Sequence, residues 1–376
     1  MNKSNRWRIL CTIFCLLLGS LFADIQNPDK PLKGEWEFKL AKVWEVDTAG
    51  DAVFGRPFSL TAADDETLYV FDPKNDTNFI IDRDGKFINT FGRSGQGPGE
   101  IIGQERTHIV EGKLLITGMN GIFVFTRDGE YLKMIRQEEI RRPPQIFLSE
   151  NEFIAFPMTG ISAADGKGEI FYCKLNPAQE RKIAEFSLTQ AGIARSEGGV
   201  VDIIVVGLSP LVAACYEQGR VYWGLSDSYE IHISDLEGRA LGGFSIGRKT
   251  KTVSNSFKKK FFKAGNIPPE MVDSIAASFS NKLTHFHRIE VHNGLIYVYV
   301  PELDLDQGTG RISQVDIFSP EGKYLYRARF DFGKGLTHLF SPLSNLAFKN
   351  GNLYATCIRE DDTVVLVKFR ALMPKD

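Results

Sequence analysis

The chain is poor in cysteine. Five occur in 376 residues, and two of these, Cys11 and Cys15, stand inside an apolar run at the N-terminus. The other three, Cys173, Cys215 and Cys357, are an odd number at wide spacing, which excludes a disulfide framework. Each stands among apolar strand residues (FYCKL, VAACY, YATCI), where a small buried hydrophobe is expected. A charge excess of one sign is also lacking. Lys and Arg number 45 against 47 Asp and Glu, a formal net charge of −2. The basic surplus of a dedicated nucleic-acid binder is therefore missing, and no nucleic-acid partner is expected. There is no HExxH pair, and no glycine-rich loop ends in Gly-Lys-Ser/Thr.

A long hydrophobic run is absent too. The apolar stretch ILCTIFCLLLGSLFA, Ile9 to Ala23, falls short of the roughly 20 residues that span a bilayer. Lys3, Arg6 and Arg8 precede it and DIQNPDKP follows. A basic head, an apolar body and a small residue at its end describe a secretory signal peptide over residues 1–23, cut after Ala23. Retention as an anchor is the alternative. Cys11 and Cys15 lie too early for lipid attachment at that cut. Export to a periplasmic or extracellular location is the expectation, with residues 24–376 forming one domain.

What is present is a repeat. TLYVFDPKNDTNFIIDRDGKFINTFG (Thr67 to Gly92) is followed by KLLITGMNGIFVFTRDGEYLKMIR (Lys113 to Arg136). Four further copies have apolar cores starting at Phe153, Val221, Ile296 and Leu353. Each copy is preceded by one more strand: PFSLTA, THIVEG, QIFLSE, LVAACYE, RIEVHNG and NLAFKNG. The strands are linked by turns such as Glu111-Gly112, Asn293-Gly294, Asn350-Gly351, Asp84-Gly85 and Asp128-Gly129, whose residues accept the positive φ of two-residue hairpins. Six units of four antiparallel strands define an all-β fold, a six-bladed β-propeller. The last unit lacks a fourth strand, while EWEFKLAKVWEVD (Glu35 to Asp47) has no partners of its own. That segment is expected to complete blade six and close the ring.

The stretch FGRSGQGPGE, residues 91–100, holds four glycines. Glu100 stands where a phosphate loop needs lysine, and no helix follows. Its expected role is the corner from the outer strand of blade one to the inner strand of blade two, with anion binding by its amides as the alternative. With RPFSL, TLYVFDPKN and the Asp-Gly turn, this stretch between Arg56 and Glu100 resembles the NHL-repeat family of six-bladed propellers, especially exported bacterial ones. The resemblance implies a propeller and no particular activity, because propellers of this type include lyases, lactonases, sensors and binding modules.

The long connections all join strands two to three or four to one, so they emerge on one face, which is the expected functional face. The longest holds two helices within residues 248–287. There SFKKKFFKAG carries Lys258, Lys259, Lys260 and Lys263, read either as a solvated face or as a dock for an anionic partner, a membrane surface included. Residues at the starts of inner strands are expected to ring the channel mouth: Arg56, Arg106, His108, Arg141, Arg142, His285, His287, Arg288 and His338. Such cations favour a small anionic ligand. Metal is a weaker alternative. His285-x-His287 has a zinc-like spacing without further ligands, and Asp304-Leu-Asp306-Gln-Gly308 is half a calcium loop without its closing Glu. No cofactor is expected. The leading expectation is a non-enzymatic binding propeller. A metal-dependent lactonase- or lyase-type enzyme and a structural part of a cell-envelope complex are the alternatives.

Overall fold

The computed structural model describes residues 24–55, 57, 59–157, 166–188, 193–196, 199–202, 204–265, 267–305, 309–339 and 346–371. The segment read as a signal peptide and Arg56 lie outside them. Among the described residues no helix is long and apolar enough to cross a membrane.

Six antiparallel sheets stand in chain order. Blade one consists of Ser59–Ala62, Leu68–Asp72, Thr77–Ile81 and Phe87–Phe91. Blade two runs from Thr107 to Arg136, blade three from Pro144 to Ser187, blade four from Val212 to Ile246, and blade five from Arg288 to Phe330. In blade six, Leu336–His338 and Leu346–Lys349 both pair with Asn352–Arg359, which pairs with Val364–Ala371. The second strands are buried almost throughout, as in Leu68–Asp72 and Lys113–Gly118, because both faces of each sheet are covered. Outer strands such as Phe87–Phe91 and Tyr131–Arg136 are mostly exposed. Six apolar clusters, one per blade interface, hold the ring. Pairs such as Phe91–Phe125 (blades one and two), Ile170–Val221 (three and four) and Phe244–Phe318 (four and five) belong to them. Such burial drives packing between elements.

The ring closes as expected. Leu40–Val46 pairs antiparallel with the last strand, from Leu40 opposite Ala371 to Val46 opposite Leu366. The preceding residues depart from the expectation of one strand from Glu35 to Asp47. Glu35–Phe38 instead adds a fifth, parallel strand to blade five, and Ile25–Asn27 does the same on blade four. Polar anchors explain the detour. The Asn27 amide donates to Gly322 O (2.9 Å), and its oxygen accepts from Tyr324 N (2.9 Å). Asp29 receives Arg248 Nε at 2.8 Å and Arg327 Nη2 at 2.7 Å. Phe38, 1% exposed, stacks on Phe330 with centroids 4.7 Å apart. The opening run is thus a strap across the edges of three blades.

The hairpins divide into two kinds. At the inner hairpins of blades two, four, five and six both central residues have positive φ, as at Asn293-Gly294 (52° and 79°) and Asn350-Gly351 (51° and 74°). These are the expected two-residue turns. At the outer hairpins of blades one, two, four and five only the glycine is left-handed, and its N–H closes a four-residue turn, as from Gly85 to Asp82 O at 3.1 Å. A bulge follows in each. The expectation of two-residue turns at Asp84-Gly85 and Asp128-Gly129 is corrected accordingly. The reason is chemical: Asp82, Thr126, Asp235 and Ser319 open these turns and accept backbone N–H groups within them, the cap that favours such loops.

Helix α1 (Asn255–Ala264) starts at Ser254, which accepts from Phe257 N, and helix α2 (Pro269–Ser278) starts on its proline. Phe261, Phe262, Val272, Ile275, Ala276 and Phe279 pack together with Leu208, giving a seventh cluster.

A candidate ligand channel on the axis

The inner strands of all six blades enclose a cavity of about 460 Å³. Its polar lining includes Arg106 and His108 on blade two, Gln145 on blade three, Cys215 on blade four, His287, Arg288 and Glu290 on blade five, and Lys349 on blade six. Ile146, Phe147, Phe156 and Leu211 add apolar wall.

The charges in it are unequally balanced. Glu290 accepts from Arg288, from Tyr299 Oη at 2.6 Å and from His292 Nε2 at 3.0 Å. Burial works to raise its pKa, but these partners, Arg288 foremost, hold it well below the carboxylate range. Burial likewise opposes the Arg288 charge, and Glu290 outweighs it, so that guanidinium is held above its ordinary value. Arg288 also donates to Leu346 O and lies over the Tyr299 ring. Arg106 differs. Its Nε is buried without a hydrogen-bond partner. Burial, then the charge of Arg288, pulls its pKa down to about 10. The guanidinium remains a cation at neutral pH. It is the unspent charge of the channel.

The histidines of the channel are neutral. Burial and Arg106 hold His108 down at about 3, with its ring edge against Phe147. Burial and Arg288 hold His287 at about 3. Neutral imidazoles supply one donor and one acceptor without adding charge.

Four expected ligand-binding residues, Arg106, His108, His287 and Arg288, therefore meet in the channel. Three others are placed elsewhere. Arg142 lies over the Phe171 ring at 3.5 Å and donates to Glu180 at 3.1 Å, so an acidic neighbour has taken its charge. His285 contacts Thr250 Oγ1, near the opposite end of the insertion, at 3.1 Å and lies against the Tyr229 ring. His338 stacks flat on Phe332 in blade six, with centroids 5.3 Å apart. Cys215 lines the cavity and is half-buried, against the expectation of full burial, whereas Cys173 and Cys357 are buried. Glu290 was missed, because a lone strand glutamate carries no spacing signal.

The lysines of the insertion are not all solvated. Lys258 is 2% exposed and donates to Phe279 O at 2.6 Å, capping the end of the second helix; this corrects its assignment as a docking residue. Lys259 pairs with Asp273 at 2.9 Å, leaving Lys260 and Lys263 exposed.

The glycine-rich corner fills itself. Glu100 Oε2 accepts from Gly97 N at 2.8 Å, and Arg93 Nε donates to Oε1 at 2.7 Å. A Cβ on Gly95 would sit 2.1 Å from that carboxylate. The amides that could cradle an anion already hold one. Gly243–Gly247 spells GxSxG, the pattern of a nucleophile elbow. Ser245, however, sits inside the outer strand of blade four, paired with Glu230 and Gln26, and not in a strand-to-helix turn. Among the described residues no three His, Cys, Asp or Glu side chains converge to hold a metal. Asp306 and Gly308 lie outside them.

A family model described as 6-bladed beta-propeller (DUF5128) matches residues 41–105, the closing strand through the glycine-rich corner. Among solved structures the chain is similar to a protein of Bacteroides fragilis described as exported, at 13% identity and TM-score 0.53, over 94% of this chain and 99% of that one. It is also similar to a DUF4221 member from Bacteroides vulgatus, at 10% identity and TM-score 0.55, over 90% and 99%. Virginiamycin B lyase from Staphylococcus aureus follows at 12% identity and TM-score 0.41, over 89% and 100%, too loose a likeness to bear on activity. No curated protein sequence matches. The six blade sheets and the family model together define a six-bladed β-propeller.

Proposed function

We propose that this chain is an exported, NHL-like binding propeller whose ligand seats in the axial channel. The observation that carries the reading is Arg106, a cation whose Nε is buried without a partner in a cavity bounded by all six blades. Sites of about 300–1,000 Å³ with a few convergent polar groups on apolar walls are where small molecules bind. Export is supported by the basic-then-apolar opening of the sequence, and the similar B. fragilis protein is itself described as exported. The metal-dependent enzyme alternative lacks a ligand set among the described residues, and an Arg-rich channel repels a cation.

Gln145, the extra residue of a bulge in the inner strand of blade three, gives the test. A Gln145→Trp variant narrows the channel from a position outside every blade interface cluster. Native mass spectrometry after incubation with a small-molecule metabolite extract is expected to show bound mass on the wild type and none on a folded Gln145→Trp protein. Equal bound mass on both overturns the channel reading.

A further inference from the structure

The balance of charge inside the channel restricts what can enter it, given that the channel is the binding site proposed above. We infer that the ligand is an organic monoanion with an apolar body, its carboxylate on Arg106 and its body against Ile146, Phe147 and Phe156.

Three observations support the class. The Arg288 charge is answered inside the wall by Glu290, which also takes Tyr299 and His292. Lys349, the third cation of the lining, pairs with Asp64 at 2.7 Å, which leaves Arg106 with an unmatched Nε. A guanidinium in this state is a strong acceptor of a planar carboxylate, because charge-assisted bonds are short and paired N–H groups match its two oxygens. A second negative charge would find no free cation, since Glu290 holds Arg288 and Asp64 holds Lys349, and a buried charge without a partner is costly. That favours a monoanion over a dianion such as phosphate. The neutral His108 beside Arg106 offers one further donor without demanding another charge. The remaining wall is apolar: Leu60, Ile146, Phe147, Phe156 and Leu211 surround the space beyond the guanidinium. A small inorganic anion would leave that surface wet, whereas a hydrocarbon body removes it from water.

Titration calorimetry and saturation-transfer NMR with phenylacetate, hexanoate, phenylacetamide and inorganic phosphate test this. Both carboxylates are expected to bind the wild type, with phenylacetamide and phosphate at least about 10-fold weaker, since a hydrogen bond to a charged group is worth roughly that or more. Arg106→Gln should weaken the carboxylates by roughly 10- to 100-fold, and Arg106→Lys should recover part of the loss. Melting curves confirm that each variant is folded. If a carboxylate binds but Arg106→Gln leaves it unchanged while Gln145→Trp abolishes it, the ligand class is wrong and the channel stands. If Gln145→Trp also leaves it unchanged, the channel reading itself fails. Phosphate binding as tightly as phenylacetate, or carboxylate affinity weaker than about 10 mM, overturns the monoanion assignment.

Discussion

Replacing Asp316 by alanine should weaken the fold more than removal of any surface charge, and the structure sets the size of the effect. Asp316 is fully buried on blade five. Its carboxylate accepts from Tyr229 Oη and Tyr324 Oη, both at 2.6 Å, from Arg248 Nη1 at 2.7 Å and from Gln314 Nε2 at 2.9 Å. Truncation leaves two buried hydroxyls without an acceptor and removes the partner of a guanidinium that is 12% exposed. Breaking a buried ion pair by removing one member costs about 3–5 kcal/mol. Arg248 retains Asp29 at 2.8 Å, which places the expected cost at the lower end, about 3 kcal/mol. With a urea m-value of about 3 kcal/mol/M, the midpoint should fall by roughly 1 M. The same cluster anchors the strap, since Arg248 and Arg327 both hold Asp29 and Asn27 binds Tyr324 N. Amides of residues 25–38 should therefore exchange faster in Asp316→Ala, while those of blades one and two stay protected. Arg248→Met combined with Asp316→Leu should cost clearly less than the two single changes added, because neither charge is then stranded. A midpoint shift below about 0.3 M, or strict additivity in the double variant, would refute the reasoning.

Two further predictions rest on the channel and on the closing strand. His108 and His287 stay neutral in the fold down to about 3, whereas the unfolded imidazoles take protons near 6.5. The unfolded state then binds more protons, so stability should decline as pH falls from about 6.5 towards 3. Urea midpoints across that range should show a shallower decline in His108→Gln/His287→Gln, and an unchanged slope would count against buried neutral imidazoles. Ala41 and Arg370 are exposed and directly opposite across the closing pair. An Ala41→Cys/Arg370→Cys protein should form an intramolecular disulfide on mild oxidation, since paired strand positions lie within bridging distance; two thiols that stay titratable would argue against closure by the opening run.

Much of the fold was legible because it is repetitive. Six copies of one strand phrase, each with its own apolar core, leave few architectures open, and the missing fourth strand at the C-terminus found its counterpart in Leu40–Val46. The split at Lys39 was hidden. It depends on single polar side chains, Asn27 and Asp29, reaching partners some 220 to 300 positions away, and no local pattern announces such a contact. The candidate site was legible in part for the same reason. Arg106, His108, His287 and Arg288 were found by counting to the starts of inner strands, which fixes position along the axis. Counting does not tell which neighbour answers a charge. Arg142 sits at an equivalent start, yet Phe171 and Glu180 capture it. Lys258 shows the opposite limit: a lysine in a run of three looks solvated until the carbonyl at a helix end takes its ammonium.

The central claim, that the axis of the propeller is a binding site organised by Arg106, is tested most directly by diffraction from crystals grown with phenylacetate. The expected result is carboxylate density within hydrogen-bond distance of Arg106 Nε, with the ring against Phe147. A channel holding only solvent, with the ligand seated instead against the lysines of the helical insertion, would contradict it.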